Sequence, residues 1–448
     1  MIFDNINPWI NHYKLGSFKL AQTMRPFPKV PLFHFLDEAA ARNPHGPACL
    51  YMDKKITFGE LKQYIDKLTN ALVALGIKKG RTVATMLPAS PQFIIADFAI
   101  QKTGATHVPC EISGNSQDLL YEIGESNAGL VICLNTHLDL VKSIIGQTKI
   151  KTIIVTALDD FSAHEPETME IPGALQLRDL MSLADPTPPR VEIDPLNDPA
   201  LVLFVGKDTG KPKKVMLTHY NLTSNTLQSL AWVLDPLKKE IEGKSSMLIA
   251  ISMNRSDGHW AMRCCVYWGL QMLLVPDPSD TDTIMKLLKK HRPFMASLEP
   301  IQYTRLLERK IGRMKTAFFC GSLGFPTEVS MKFKKLTGCS IIEAYGYTET
   351  GSLTHINISN LSKITGGMTL EKPGSIGVPI VDTEVKLVDS SSGEEVKTGD
   401  VGELYIKGPQ VTKGYWPTSG NGLVNGWFPT KNLCRMDADG YFYLVDLR

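Results

Sequence analysis

The segment Leu203 to Leu222 reads LFVGKDTGKPKKVMLTHYNL and carries Lys207, Lys211, Lys213 and Lys214 in close succession. Ammonium groups bind phosphate as point charges, so this stretch can hold a phosphorylated ligand; a solvated basic turn explains the same pattern. It is not the loop of the P-loop nucleotidases, because Gly206 and Gly210 stand too close together and Pro212 follows Lys211 where Ser or Thr is needed. The second segment is Tyr345 to Glu349, YGYTE. A hard cation takes oxygen ligands, so Glu349 can hold a divalent ion while Thr348 offers a hydroxyl to a phosphate oxygen. The plain alternative is a capped helix start after a strand at Ile341 to Ala344. Tyr345 or Tyr347 suits a pocket wall, where a ring buries its face and keeps a polar tip. Arg255 can clamp a carboxylate, or simply sit in a surface salt bridge.

These residues need a scaffold, and the pattern supplies one. Between Thr57 and Gly76 the apolar positions Leu61, Tyr64, Ile65, Leu68, Leu72 and Leu75 share one helical face, with a Thr57/Glu60 capping box at the start and a glycine after the end. Thr82 to Leu87 reads as a strand, and Ser90 and Pro91 open a helix to about Lys102. Continuous apolar runs follow at Gly129 to Leu134, Thr152 to Thr156, Leu201 to Val205, Met247 to Ile251, Met272 to Pro276, Ala317 to Cys320 and Ile341 to Ala344. Such runs, separated by helix-length segments, predict parallel sheets covered on both faces. After about Glu371 shorter strands at Glu384 to Val388, Glu403 to Ile406 and Tyr441 to Val445 predict an antiparallel unit. The expected class is therefore α/β, with two mostly parallel sheets flanked by helices plus a C-terminal antiparallel β unit. The expected subdomains are residues 1–190, 191–370 with the lysine-rich loop, and 371–448.

Composition narrows the function classes. With 48 Lys and Arg against 46 Asp and Glu in 448 residues, the chain lacks the basic excess that general nucleic-acid binding needs. Eight scattered cysteines, without Cys-x-x-Cys spacing or nearby histidine clusters, read as reduced and buried thiols, which speaks for a cytoplasmic protein and against structural zinc. No apolar stretch approaches the length of a membrane span.

The lysine-rich loop, YGYTE, Gly374 to Pro379 (GSIGVP) and Gly402 to Tyr415 (GELYIKGPQVTKGY) together resemble the adenylate-forming superfamily of acyl-CoA synthetases, fatty acyl-AMP ligases and luciferases. NPW at 7–9 and MLPASPQF at 86–93 are most similar to its long-chain fatty acid–CoA ligases. The resemblance covers nearly the whole chain and implies the large N-terminal domain of that fold. It implies ATP, Mg²⁺ and CoA as cofactors: a fatty acid carboxylate attacks the α-phosphate, giving acyl-AMP and pyrophosphate, and a thiol then takes the acyl group. By the same resemblance Thr209, Lys213, Thr348 and Glu349 are the catalytic candidates, with Glu349 the metal ligand. Gly210, Gly321, Ser322, Tyr345, Gly346, Tyr347 and Asn432 border the nucleotide, and Asn254, Arg255 and Gly258 the acyl pocket. A fatty acid and a nucleotide are the expected partners, with a homodimer left open.

Departures from the family pattern also stand. Hydroxyl donors are missing at 205, 206 and 208, Lys207 replaces a glycine, and Asp208 adds a negative charge beside the expected phosphates. Thr430, Lys431 and Asn432 occupy the place of Thr-Gly-Asp, and Ser252, Met253, Asn254 and Arg255 that of Pro-x-Phe-His. Nothing here matches the family's smaller C-terminal domain, whether the protein is naturally short or the sequence truncated. The expectation is weak nucleotide binding and impaired or incomplete activity. The alternatives are a non-catalytic relative that binds a nucleotide, an acyl chain or a protein partner, and a purely structural subunit.

Overall fold

The Thr57 hydroxyl accepts the backbone N–H of Glu60, whose carboxylate accepts the N–H of Thr57, and this reciprocal cap opens the helix Phe58–Ala74. Leu61, Ile65, Leu68 and Leu72 are fully buried along it, and Gly76 in the left-handed region lets the chain leave. The computed structural model describes residues 7–112, 116–164, 171–206, 212–321, 325–361 and 372–446.

Ser90 and Pro91 cap and start the helix Pro91–Lys102, every residue of which is buried. A helix buried on all sides belongs in a core, and this one brings two charged residues with it, Asp97 and Lys102. Asp97 receives His107 Nδ1 at 2.6 Å, His259 Nε2 at 3.3 Å and Gln101 Nε2 at 2.9 Å. His107 lies in the first sheet and His259 in the helix Ser256–Trp268 beside the second, so one buried carboxylate ties the two layers together. Desolvation of Asp97 is outweighed by the two histidines, which hold its carboxyl below the usual range.

The first sheet has seven strands in the order Lys213–Thr218, Pro199–Val205, Thr106–Pro109, Thr82–Met86, Leu130–Leu134, Thr152–Thr156, Leu175–Gln176, parallel except for the hairpin at its first edge. The second has nine, with a parallel centre running Ile341–Tyr347, Ala317–Cys320, Met295–Ser297, Ser246–Ile249, Gln271–Leu274, Pro47–Tyr51 and antiparallel strands at both edges. Four antiparallel strands, Glu384–Val388, Val401–Lys407, Phe428–Met436 and Phe442–Asp446, form the third.

The α/β class with a C-terminal antiparallel sheet is thus the observed one. Sheet membership does not follow residue 190, however. Pro199–Val205 and Lys213–Thr218 complete the first sheet, whereas Pro47–Tyr51 and Lys54–Thr57 complete the second. Among the described residues none of the eight cysteines is joined in a disulfide. Among the described residues no helix is long and apolar enough to cross a membrane.

Candidate active site

The carboxyl ends of the parallel strands open onto one cavity of about 690 Å³, the place where open α/β sheets bind ligands. Lys213, Tyr345, Thr348, Glu349 and Tyr415 all line it.

The strand Ile341–Tyr347 runs three residues beyond its apolar start and ends in a single tight turn, Thr348–Thr350, before Ser352–Ile356 returns antiparallel. The capped helix start considered for this segment is present as this single 3-10 turn, which does not continue as a helix but closes a hairpin. A Cβ on Gly346 would lie 1.7 Å from the Ser352 carbonyl oxygen, so only glycine allows the return strand to close here. The turn aims Glu349 into the cavity wall, where its residue is 7% exposed. Burial raises the Glu349 carboxyl above its ordinary range, against the hydrogen bond from Tyr415 and the charge of Lys213.

Tyr415 is the joint between the two chemical segments. Its hydroxyl donates to Glu349 Oε1 at 2.9 Å, and the Lys213 ammonium stands 4.9 Å from the centroid of its ring, within cation–π range. Backbone bonds fix the tyrosine: Trp416 N–H donates to the Lys214 carbonyl at 2.7 Å and Thr412 N–H to the Glu349 carbonyl at 2.7 Å. Lys213 and Glu349, 136 positions apart by their numbers, thus meet over one side chain. Thr348 Oγ1 donates to Ser256 Oγ at 3.3 Å, which anchors the turn to the first residue of the buried helix Ser256–Trp268.

Behind this wall, the Tyr345 hydroxyl donates to that of Tyr347 at 3.2 Å and Tyr347 to the Thr430 carbonyl at 3.4 Å. Asn432 donates to the Tyr345 hydroxyl at 3.4 Å and is buried. It supports the tyrosine, while Thr430 and Lys431 reach the cavity surface. Gly321 lines the cavity next to Asp257, whose Oδ2 would lie 2.9 Å from an added Cβ. Thr209, Gly210 and Ser322 lie outside the described residues.

Elsewhere in the cavity lining, Asn254 Nδ2 donates to the Cys110 carbonyl at 2.7 Å. Arg255 lies 3.4 Å from Asp257 and 3.4 Å from Glu299, and Asp257 above all raises its already high pKa. Gly258 is packed under the preceding loop, with the Ser252 carbonyl 2.1 Å from where a Cβ would stand; it positions the helix rather than lining the cavity. The sequence singled out Lys213, Thr348 and Glu349 but gave no role to Tyr415, Ser256 or Asp257. The first of these sits inside GELYIKGPQVTKGY, whose resemblance was legible while its partner was not.

Among the described residues no three His, Cys, Asp or Glu side chains converge as a metal cage. One buried carboxylate beside a lysine fits Mg²⁺ all the same, since that ion is ordinarily bound through one or two carboxylates plus substrate phosphates.

Comparison with known proteins gives concordant findings. The AMP-binding enzyme family matches residues 36–416. A long-chain-fatty-acid–CoA ligase of Bacillus subtilis is 29% identical over 94% of this chain and 77% of its own length, and one of Haemophilus influenzae 26% identical over 98% and 80%. A solved long-chain-fatty-acid-CoA ligase from Archaeoglobus fulgidus superposes with a TM-score of 0.80 at 20% identity, covering 96% of this chain and 86% of that one. The N-terminal domain of FACL13 from Mycobacterium tuberculosis gives 0.79 at 19%, covering 94% and 100%.

Proposed function

The chain belongs to the family of AMP-binding enzymes, and we propose that it activates a fatty acid with ATP, forming acyl-AMP and pyrophosphate, before transfer of the acyl group to a thiol such as CoA, in the cytoplasm. In the first step a carboxylate oxygen bonds to the α-phosphorus as the bond to pyrophosphate breaks. In the second the thiol sulfur bonds to the acyl carbon as AMP leaves and the thiol gives up its proton.

The work of these side chains is positioning and charge stabilisation. Lys213 meets phosphate oxygens at the cavity mouth. Glu349, once ionised, is the residue that would hold Mg²⁺, and the ion would supply charge neutralisation to the phosphates. Thr348 would turn its hydroxyl proton from Ser256 Oγ to a phosphate oxygen, and the rings of Tyr345 and Tyr347 border the base. Tyr415 fixes the Glu349 carboxylate through Oε1. The similarity to long-chain-fatty-acid–CoA ligases supports a fatty acid as the substrate. The single observation that carries the reading is the convergence of Lys213 and Glu349 on Tyr415.

The test is fatty-acid-dependent exchange of labelled pyrophosphate into ATP. Exchange that needs Mg²⁺ and is lost in Glu349→Gln supports the proposal; its absence across a panel of chain lengths overturns it. A second reading, a non-catalytic relative that keeps the nucleotide, draws on the burial of Asn432 behind Tyr345. It predicts AMP binding without exchange.

A further inference from the structure

At the opposite end of the nine-stranded sheet, where the strands Ser246–Ile249 and Gln271–Leu274 begin, lies a second cleft of about 400 Å³. Lys244, His291, Arg292 and Lys315 line it, and among the described residues no Asp or Glu does. In a chain whose charges nearly cancel, such a one-signed lining calls for an explanation.

Part of it is local. His291 ends the helix Thr281–His291 and Arg292 is its left-handed cap, and cations favour a helix C-terminus. Lys244 and Lys315 arrive from two other loops and owe nothing to that dipole. The Lys244 ammonium donates to the Lys239 carbonyl at 2.7 Å, a neutral group outside the lining. Outside the lining, Lys286 is paired with Asp53, whose charge acts on His291. Burial lowers the His291 pKa, and Lys290, Lys55 and Lys286 lower it further against Asp53; the local potential is positive. Gln271, also in the lining, has a buried Nε2 without an acceptor among the described residues. Lys244, Arg292 and Lys315 are solvent-exposed, so water and salt screen their mutual repulsion, but they present one sign of charge beside an amide donor whose missing partner is a standing cost.

We propose that this cleft binds a compact phosphate-bearing anion, with Arg292 and Lys315 as its principal cations and Gln271 as a neutral donor. Lys and Arg beside an N–H donor are what a phosphate monoester or a phospholipid headgroup requires. The proposal does not depend on the activity assigned to the larger cavity.

Calorimetry with inorganic phosphate tests it, using wild type, Lys213→Gln, and the double variant Arg292→Asn/Lys315→Gln. Asparagine is chosen because it tolerates the left-handed backbone at Arg292. A binding event that survives Lys213→Gln and weakens at least tenfold in the double variant is expected, with Lys315→Arg retaining it and circular dichroism showing all variants folded. Sedimentation with phosphatidylglycerol against phosphatidylcholine vesicles then separates the sources. Retention on the anionic vesicles that the double variant loses assigns the cleft to a headgroup, and calorimetric binding alone assigns it to a soluble phosphate ester. If neither probe binds, or if phosphate binding vanishes with Lys213→Gln and is untouched by the double variant, the proposal is overturned.

Discussion

The two walls of the main cavity handle charge in opposite ways. On the Glu349 side a buried carboxylate meets a phenol at one oxygen and a lysine across the ring, an arrangement with room for a further cation. On the Arg255 side the charges already answer one another, Arg255 with Asp257 and Glu299. A buried ionised group without full compensation is costly, so its presence in a cavity wall marks a place where a ligand completes the structure. A half-exposed ion pair carries no such cost.

Glu349→Gln breaks that contrast most severely. Removing a group that stabilises transition-state charge costs about 10²- to 10³-fold in rate, and pyrophosphate exchange should fall by that much with little change in melting temperature. Gly346→Ala attacks the geometry instead. A Cβ 1.7 Å from a backbone oxygen forces the hairpin apart, and overpacking costs about 1–3 kcal/mol or somewhat more, visible as a lowered denaturation midpoint together with lost exchange.

Tyr415→Phe sharpens the contrast and is milder. Loss of one hydrogen bond to a charged group costs about 1.5–3 kcal/mol at most, so the Mg²⁺ requirement should rise roughly tenfold. The pH profile gives the sign. Glu349 works ionised and burial already raises its pKa, so wild-type activity falls as pH drops through a carboxyl pKa above the ordinary value. Without the Tyr415 donor the carboxylate loses stabilisation, and the acid limb should move to higher pH; an unmoved limb would separate Tyr415 from Glu349. Arg255→Ala should matter least, since exposed pairs contribute about 0–1 kcal/mol. A large rise in KM for the acid would show that this arginine clamps the substrate.

Local signals made much of the fold legible. The helix Phe58–Ala74 with its cap, the helix Pro91–Lys102 and the buried strands at Thr152–Thr156 and Ala317–Cys320 follow the periodicity. Which sheet a strand joins is set by partners far away in sequence, so the crossing of Pro47–Thr57 into the second sheet left no local trace. The site divides in the same way. Thr348 and Glu349 stand in one motif, whereas the bond from Tyr415 spans 66 positions. Asn432 shares the buried face of its strand with Thr430 and Cys434, and its turn toward Tyr345 comes from packing, which residue type does not encode.

The most direct test of the account is the affinity for Mg·ATP, measured by calorimetry in wild type, Lys213→Gln, Glu349→Gln and the double variant. Groups gripping one metal-bound polyphosphate should be coupled, the double loss falling short of the summed single losses by more than about 0.5 kcal/mol. Losses that simply add, or single variants that bind as wild type does, would contradict it.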